Sequence, residues 1–369
     1  MKKILYIAVS SQTGGVPKHI LNALMENQSY EITVAVPADG DYYLWFQKLA
    51  FDMIDLPLKP FSLRSLLRLR QYVIMHHIDL IHSHGKGAGM YARPLKLLCP
   101  GVKVVHTFHG IYLEQYGIWI KQLYLCIERL LRHLSDVLIC VSESERAEAL
   151  RLNVTLDNRT VVIPNGVELQ KFERSNIDQE VYRTQIGCAA DDYLIGCVAR
   201  LEAMKGHKYL IEAFEAISLR HPKCHLLLVG DGPDRAYIET LIQKKHLEDR
   251  IHLTGFRHDI PEILQVLDLF VSCSLKEGMP YTLIEAIASG TPVVATDVIG
   301  NRDVIQDGIN GMLAKSQDSA DIADKIETAM EHPERCRQYS EHGIRDVQEK
   351  FTIEKTVGQI VAVYEGALR

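Results

Sequence analysis

The hydrophobic positions of this chain fall into short apolar runs separated by longer amphipathic stretches, and the alternation continues throughout the sequence. Short apolar runs bounded by turn residues predict buried strands, and strands that alternate with helices are typical of parallel α/β sheets. The predicted strands lie near residues 4–9, 32–36, 79–82, 103–106, 137–141, 161–163, 194–199, 225–229, 251–253, 269–272 and 293–296. The pattern therefore predicts an α/β fold.

The turn sequence Pro164-Asn165-Gly166 separates two series of predicted strands. A chain of 369 residues also exceeds the roughly 250–300 residues at which a single core stops growing. We therefore predict two domains, 1–165 and 166–350, with a polar and irregular connection at 166–192.

Two carboxylates, Glu277 and Glu285, lie eight positions apart in the second half. Glu277 is predicted in a Gly/Pro loop and Glu285 on the first turn of a short helix, which Gly290 ends. A loop that opens into a helix leaves backbone N–H groups that favour an anion. Carboxylates beside such a site favour a ligand that also carries hydroxyls, such as a sugar nucleotide. Taken singly, Glu285 could serve the helix dipole and Glu277 could be a solvated loop charge.

Two cations follow the predicted strand at 194–199. Arg200 lies at its carboxyl end, where open α/β sheets bind ligands, and Lys205 lies in the loop before the next helix. An arginine fork and a mobile lysine charge suit a diphosphate, although either alone could be an ordinary surface cation.

A glycine pair, Gly14-Gly15, follows the first predicted strand and opens a helix. Paired glycines let the backbone approach a ligand closely, but a tight strand-to-helix turn would explain them equally. The surrounding sequence lacks both the dinucleotide fingerprint and the Walker pattern.

Together these segments resemble the retaining glycosyltransferases of family four, which have the GT-B fold. The matching segments are Arg200 with Lys205, Gly230-Asp231-Gly232-Pro233, Thr254-Gly255-Phe256, Glu277 to Glu285 and, more weakly, Gly14-Gly15, 106–110, Val141-Ser142 and 163–167. The resemblance implies two Rossmann-like domains that face each other across a cleft, with a C-terminal helix within 351–369 crossing back to the first domain. It implies no cofactor and no metal.

The resemblance also assigns roles to residues. Arg200 and Lys205 would bind the donor diphosphate and stabilise the leaving group, while Glu277 binds a hydroxyl of the transferred sugar. Glu285 would bind the ribose hydroxyls, and His109 would face the donor sugar. The remaining donor-binding residues by resemblance are Gly15 near the phosphates, the segment Gly255, Phe256 and Arg257 near the base, and Gly278, Met279, Pro280, Tyr281, Thr282 and Leu283 at the helix start.

Histidines concentrate in the first half, at His82, His84, His106 and His109. Residues 82 and 84 would share one face of a strand, but no carboxylate or cysteine nearby completes a metal site. We therefore predict no metal there and interpret His106 as structural.

The net charge of −6 is unevenly distributed, since residues 1–165 carry +4 and the remainder −10. Residues 58–103 contain eight basic residues and one acid, and 62–70 mixes Leu and Arg as an interfacial helix does. The aromatic and basic stretch 118–124 adds to this pattern. We predict peripheral contact with an anionic membrane surface, with a solvated helix face as the equal alternative. The confined charge without a nucleic-acid motif argues against a nucleic-acid partner.

The sequence favours a cytoplasmic location, at most peripheral on the inner face of the cell membrane. No apolar run is long enough to span a bilayer, and the run at 4–9 is too short for a signal peptide. The eight cysteines show no paired spacing, which fits reduced thiols.

The predicted function is transfer of a sugar from a nucleoside diphosphate sugar, most often a UDP-sugar in this family, to a glycan or lipid-linked acceptor with retention. The resemblance suggests bacterial capsule, exopolysaccharide or lipopolysaccharide synthesis. A UDP-sugar 2-epimerase of the same architecture is the main alternative, because fold alone does not separate the two. A phosphorylase would need a longer chain, and a non-catalytic nucleotide-binding module would not need all four charged site residues.

Overall fold

The computed structural model describes residues 1–26, 29–113, 116–173 and 177–369. The chain forms two compact units: residues 1–165 with 353–369, and residues 166–352. Each unit contains its own parallel β-sheet with α-helices.

The sheet of the first unit has, within the described residues, seven parallel strands in the order β3-β2-β1-β4-β5-β6-β7. Its strands are β1 (Lys2–Ile7), β2 (Tyr30–Val36), β3 (Asp52–Asp55), β4 (Leu80–His84), β5 (Lys103–Thr107), β6 (Val137–Cys140) and β7 (Thr160–Val162). Successive side chains of β1 enter different hydrophobic clusters, Ile4 and Tyr6 in one and Leu5 and Ile7 in the other. Burial on both faces is why residues 4–7 of β1 form a continuous apolar run rather than an alternating pattern.

The helices before the second sheet are α1 (Gly15–Glu26), α2 (Tyr42–Leu49), α3 (Leu63–Met75), α4 (Gly85–Leu98), α5 (Ile118–Leu131) and α6 (Glu143–Arg151). The amphipathic pattern of α3 buries Leu66, Leu69 and Val73. Its first residue follows Ser62, whose hydroxyl accepts a hydrogen bond from the Ser65 backbone N–H at 3.3 Å. Sequence period and N-cap therefore agree on where this helix begins.

The sheet of the second unit has, in the part of the chain that is described, six parallel strands in the order β10-β9-β8-β11-β12-β13. They are β8 (Tyr193–Val198), β9 (Cys224–Val229), β10 (Ile251–Gly255), β11 (Leu269–Ser272), β12 (Val293–Thr296) and β13 (Met312–Ala314). The helices here are α7 (Gln179–Gln185), α8 (His207–Arg220), α9 (Arg235–Lys244), α10 (Ile260–Val266), α11 (Tyr281–Ala288), α12 (Asn301–Val304), α13 (Ser319–Glu331) and α14 (Pro333–Lys350).

The last helix, α15 (Ile353–Leu368), belongs to the first unit and contacts α1. Ile360 and Tyr364 enter the hydrophobic cluster of β1. The Tyr364 hydroxyl lies 2.6 Å from the Tyr6 hydroxyl and 2.5 Å from His82 Nδ1. A buried polar network therefore joins the end of the chain to the first sheet.

Each predicted strand overlaps an observed one, which confirms the α/β prediction. Strands β3 and β13 were not predicted, because both are short edge strands and β3 has an aspartate at each end. The prediction of an irregular connection at 166–192 was wrong at α7, where Asp178 caps the helix through the Val181 backbone N–H. Residues 174–176 of that connection lie outside the described residues.

Among the described residues, no helix is both long and apolar enough to cross a membrane. The same residues include all eight cysteines, which are free thiols, and of these Cys126 is exposed and the others are buried.

Candidate functional site

The strand order of the second sheet reverses beside β8. The chain proceeds from β8 to β9 and β10 on one side, then returns to β11 on the other side of β8. Loops that leave the carboxyl ends of two such strands border the crevice where open α/β sheets bind ligands. The loop after β8 carries Arg200 and Lys205, and the loop after β11 carries Glu277.

Lys205 and Glu277 form an ion pair at this crevice. Lys205 Nζ donates to Glu277 Oε1 at 2.6 Å, and Ser274 Oγ donates to the same oxygen at 2.6 Å. Glu277 is only 6% exposed. Burial acts to lower the pKa of Lys205, but the charge and hydrogen bond of Glu277, with the charge of Glu202, raise it above its ordinary value. The pair therefore keeps a partly buried ammonium charged beside a buried carboxylate.

Close backbone contacts fix the two loops of this pair. Gly206 has φ +68°, and a Cβ there would lie 2.1 Å from the Cys273 carbonyl oxygen. Gly300 has φ +85°, and a Cβ there would lie 2.6 Å from the Gly278 carbonyl oxygen. Only glycine allows both the left-handed backbone and this approach. The loops that carry Lys205 and Glu277 are therefore held by packing.

Arg200 is half-exposed, and its Nη1 lies 3.5 Å from Glu202 Oε2. The turn after Arg200 is held by the Leu201 backbone N–H, which donates to Asp231 O at 3.1 Å. A Cβ at Gly230 would lie 2.1 Å from the Ala199 carbonyl oxygen, which explains a glycine in the segment 230–233. Arg200 is thus a solvent-accessible cation on a fixed backbone.

The predicted position of Glu285 was wrong by one helical turn. Helix α11 begins at Tyr281, immediately after an extended Pro280, so Glu285 lies on its second turn. A role for Glu285 as a first-turn dipole partner therefore does not apply. Its side chain is 2% exposed, and the helix ends before Gly290, which has φ +75° as expected.

The other residues of the helix start are mostly buried. Of the expected donor-binding residues here, the buried ones are Gly278, Met279, Pro280, Tyr281 and Leu283, and Thr282 is half-buried. The backbone N–H groups of the first turn of α11 lie next to the Glu277 loop in sequence, which suits an anion.

Gly255 is the last residue of β10, and Phe256 and Arg257 follow it. Gly255 has φ +71°, and its carbonyl oxygen accepts from the Gly230 N–H at 2.9 Å. Phe256 is exposed, whereas the Arg257 guanidinium binds Asp259 through Nε at 2.8 Å and donates to the Tyr182 hydroxyl at 3.2 Å. The Arg257 guanidinium is therefore bound to Asp259 and Tyr182, whereas the Phe256 ring is accessible to a ligand.

The first sheet has its own order reversal, between β1 and β4. Gly15 is the exposed first residue of α1, and His84 is the last residue of β4. His109 follows β5, and its Nε2 lies 3.3 Å from His84 Nδ1. The ring of His19, from α1, meets the His109 ring edge-on with centroids 5.0 Å apart.

Burial lowers the pKa of the three imidazoles of this group, to about 4 for His19 and well below the ordinary value for His84 and His109. They are therefore neutral near neutral pH, and each can donate one hydrogen bond and accept another. His19 Nδ1 lies 3.2 Å from Asn165 Oδ1. Because an amide oxygen accepts hydrogen bonds and does not donate them, the ring proton of His19 is assigned to Nδ1.

His19 and Glu145 were missed from the sequence. Glu145 Oε1 accepts from the Gly110 N–H at 2.5 Å and Oε2 from the Val141 N–H at 2.7 Å, which fixes the turn that carries His109. The Ser142-x-x-Glu145 spacing marks a helix start and could have identified this residue. His19 lies one turn beyond Gly15 on the same helix. Because residues four apart share one face of a helix, this spacing could have identified His19.

The rings of His82 and His84 lie side by side, with centroids 4.1 Å apart, but both ring nitrogens of His82 have other partners. His82 bonds Tyr364 and, at 2.7 Å through Nε2, Thr107 Oγ1. His106 is buried and lies 2.9 Å through Nδ1 from Ser83 Oγ. The structure instead places His84 and His109 beside His19.

Two family models match the chain. The model described as glycosyl transferases group 1 matches residues 178–346, and Glycosyltransferase Family 4 matches residues 13–171. Each matched range lies mainly within one of the two units.

Curated relatives and solved structures extend this result. The chain is 30% identical to the putative glycosyltransferase EpsD of Bacillus subtilis, covering 90% of this chain and 88% of that protein. It is 27% identical to an Escherichia coli UDP-Gal:alpha-D-GlcNAc-diphosphoundecaprenol alpha-1,3-galactosyltransferase, covering 86% and 84%. The fold resembles Anabaena Alr3699/HepE in complex with UDP and glucose, with a TM-score of 0.88, 23% identity and coverage of 99% and 100%.

Proposed function

The chain belongs to the family four glycosyltransferases of GT-B fold, and on that premise we propose that it transfers a sugar from a UDP-sugar to an acceptor hydroxyl with retention of configuration. The observation that carries the proposal is the Lys205–Glu277 pair, placed with Arg200 at the order reversal of the second sheet. A charged ammonium and an accessible guanidinium at one crevice suit a diphosphate.

Arg200 and Lys205 are the proposed diphosphate ligands. As the bond between the anomeric carbon and the diphosphate breaks, negative charge grows on the departing oxygen. Fixed cations stabilise this charge without reorganising, which is the usual source of the largest rate gain. Backbone N–H groups of Met279 and of residues 281–283 add donors, and this set of positive groups allows a reaction without a metal.

The carboxylates are the proposed hydroxyl ligands. Among the described residues, the donors that reach Glu277 bond its Oε1, so Oε2 is the oxygen that we assign to a hydroxyl of the transferred sugar. Glu285 is assigned to the ribose hydroxyls, where its burial limits competition from water. Phe256 and the backbone of Gly255 and Arg257 are assigned to the base.

The first unit contributes the proposed sugar and acceptor contacts. His109 is neutral and can hydrogen-bond a sugar hydroxyl, and Gly15 begins a helix whose backbone N–H groups favour phosphate. The acceptor hydroxyl attacks the anomeric carbon on the face from which the diphosphate leaves. Its proton passes to the departing phosphate oxygen, so that the products are the glycosylated acceptor and UDP.

We further propose that the acceptor is lipid-linked and that the cytoplasmic protein rests on an anionic membrane during polysaccharide synthesis. Helices α3 and α5 both contact α4. Trp119 of α5 is 86% exposed and has exposed Ile118 and Ile120 beside it, while Leu63 and Leu67 of α3 are exposed among arginines. Exposed apolar side chains among cations suit the lipid interface.

Fewer basic residues of the segment 58–103 contribute to its surface charge than their count in the sequence suggests. Arg93 is fully buried and pairs with Glu128 through Nη1 at 2.7 Å, and Lys96 Nζ pairs with Asp136 at 2.6 Å. These partners lie outside 58–103, so the membrane proposal depends on the other cations and on the exposed apolar residues.

The test incubates the purified protein with a panel of UDP- and GDP-sugars in EDTA and follows them by proton NMR. Release of nucleotide from one donor, lost in Lys205→Ala and kept in the exposed Lys208→Ala control, would support the proposal and name the sugar. Conversion of a donor into another sugar nucleotide would overturn it in favour of an epimerase.

A further inference from the structure

A second group of metal-ligating side chains lies at the amino-terminal edge of the second sheet. Cys188 follows α7, while His225 and His252 are the second residues of β9 and β10. One ligand atom from each lies within 4.8 Å of the others. Arg200 and Glu277 follow the carboxyl ends of their strands, so this group is separate from the donor site.

The register of the strands explains why the two imidazoles meet. His252 of β10 pairs with Leu227 of β9, and side chains two residues apart on a strand share a face. His225 and His252 therefore project from the same face of the sheet. Their rings are nearly parallel, at 15°, and His225 Nδ1 lies 3.0 Å from His252 Nε2.

These distances are close to those of a tetrahedral zinc site. Zn–N bonds of about 2.0–2.1 Å at tetrahedral angles separate two ligand nitrogens by roughly 3.3 Å. The observed pair at 3.0 Å needs to open only slightly, and the thiol is within side-chain adjustment. Gly187, with φ +88°, permits the turn that brings Cys188 to the rings.

Asp192 lies where such sites place an orienting carboxylate. Its Oδ2 lies 3.4 Å from His225 Nε2, on the side of the ring away from His252. A carboxylate beside one imidazole nitrogen favours the tautomer whose other nitrogen keeps its lone pair for a metal. Asp192 therefore favours a lone pair on His225 Nδ1, the nitrogen that lies 3.0 Å from His252 Nε2.

The protonation states leave both imidazole rings able to act as metal ligands. Burial lowers the pKa of both His225 and His252, so both rings are neutral near neutral pH. Burial raises the pKa of the Cys188 thiol to about 11, with the Asp192 charge adding to the effect. The resting site is thus uncharged at its three ligands, and an arriving cation would displace the thiol proton.

We propose that Cys188, His225 and His252 bind a Zn²⁺ ion, with Asp192 orienting His225 and the fourth position open to water. A thiolate with two imidazoles favours zinc over the hard cations that prefer oxygen. The ion would join the segment after α7 to the edge strand β10 and would stabilise the second unit through this cross-link. It plays no part in the proposed sugar transfer.

The other histidine group, His19, His84 and His109, carries imidazoles alone among its metal-ligating members. This difference lets an experiment distinguish the two groups, because a thiolate ligand produces a charge-transfer band with Co²⁺ and imidazoles do not. The test titrates Co²⁺ into the full chain after removal of metals by EDTA and dialysis. We expect a thiolate-to-cobalt band and tetrahedral visible bands that saturate at one ion and that Zn²⁺ abolishes.

Variants assign the band. Cys188→Ser should remove the charge-transfer band, and His252→Gln should weaken binding at least tenfold. The exposed Cys126→Ser variant should behave as the wild type. Zn²⁺ at about a hundredfold excess over its Kd should raise the Tm of wild type by roughly 5–10 °C and leave that of Cys188→Ser unchanged.

Absence of a thiolate band in the wild type, or its persistence in Cys188→Ser, would overturn the site. Nucleotide release in EDTA is measured separately, so failure of the zinc site and failure of the proposed transferase activity are distinguishable.

Discussion

The order reversals of the two sheets are alike in topology and opposite in chemistry. In the second unit the loops after β8 and β11 present Arg200 and the Lys205–Glu277 pair, all charged. In the first unit the strands and helix at the corresponding place present His19, His84 and His109, all kept neutral by burial. The two sheets share a topology that favours ligand binding, whereas their side chains differ in what they suit: charges suit a diphosphate and neutral imidazoles suit hydroxyls.

The largest expected effect tests the charged side of this comparison. Lys205→Ala should lower turnover by about 10³-fold, because it removes a fixed charge from the departing diphosphate. The rate of UDP release from the donor identified by NMR measures this. The exposed Lys208→Ala variant of the same helix region should retain wild-type rates. Equal rates in the two variants would show that Lys205 does not act in the reaction.

Glu277→Gln should lower turnover by about 10²-fold and also change its pH dependence. Glu277 raises the pKa of Lys205 against the effect of burial, so its loss lets that pKa fall. A raised pKa keeps Lys205 protonated as pH increases, and the variant should therefore lose activity at a lower alkaline pH than the wild type.

A pH–rate profile of both proteins measures this shift. The remote Lys245–Glu215 ion pair provides the control, and Glu215→Gln should leave the profile unchanged. If the alkaline limb of the profile does not shift in Glu277→Gln, then Glu277 does not control the protonation of Lys205 in the active enzyme.

On the neutral side, His109→Ala should cost one hydrogen bond to the sugar, a decrease in kcat/KM of roughly tenfold to thirtyfold. The exposed His133→Ala variant of the same unit serves as the control. Because a lowered pKa keeps the ring neutral as pH falls, wild-type activity should persist below about pH 6.5, where an ordinary histidine protonates. Loss of activity as the pH falls below about 6.5 would show that the imidazoles become protonated.

The smallest expected effect extends the comparison to the surface. Trp119→Ala should weaken sedimentation with anionic lipid vesicles by about fivefold, because Trp119 is an exposed apolar anchor on α5. The other tryptophan, Trp45 on α2, is also exposed and gives the matched variant Trp45→Ala. Equal vesicle binding by wild type and Trp119→Ala would place the membrane contact elsewhere.

The sequence predicted what short-range patterns encode. Strands β1 and β8 contain buried and mostly apolar runs, at 4–7 and 194–198, and Gly290 ended α11 as expected. Edge strand β13 was missed because three residues are too few to show a periodic pattern. Glu285 was misplaced by one turn because the sequence does not state where after Pro280 the helix begins.

Contacts distant in sequence could not be predicted. Arg93 was counted as surface charge because Glu128, its buried partner, is 35 residues away. Cys188, His225 and His252 are likewise spread over three elements, and only strand register brings the two histidines together. Such groupings depend on tertiary structure, which residue spacing does not contain.

The position of α15 in the first unit has a consequence for synthesis on the ribosome. Residues 166–352 are contiguous, so all of the second unit is present once they have been translated, whereas the first unit lacks Ile360 and Tyr364 until residues 353–369 follow. Although N-terminal domains generally fold first, the first sheet here gains part of its core only after the second unit has been translated. Tyr6 and His82 in particular gain their hydrogen-bond partner, Tyr364, only at that stage of synthesis.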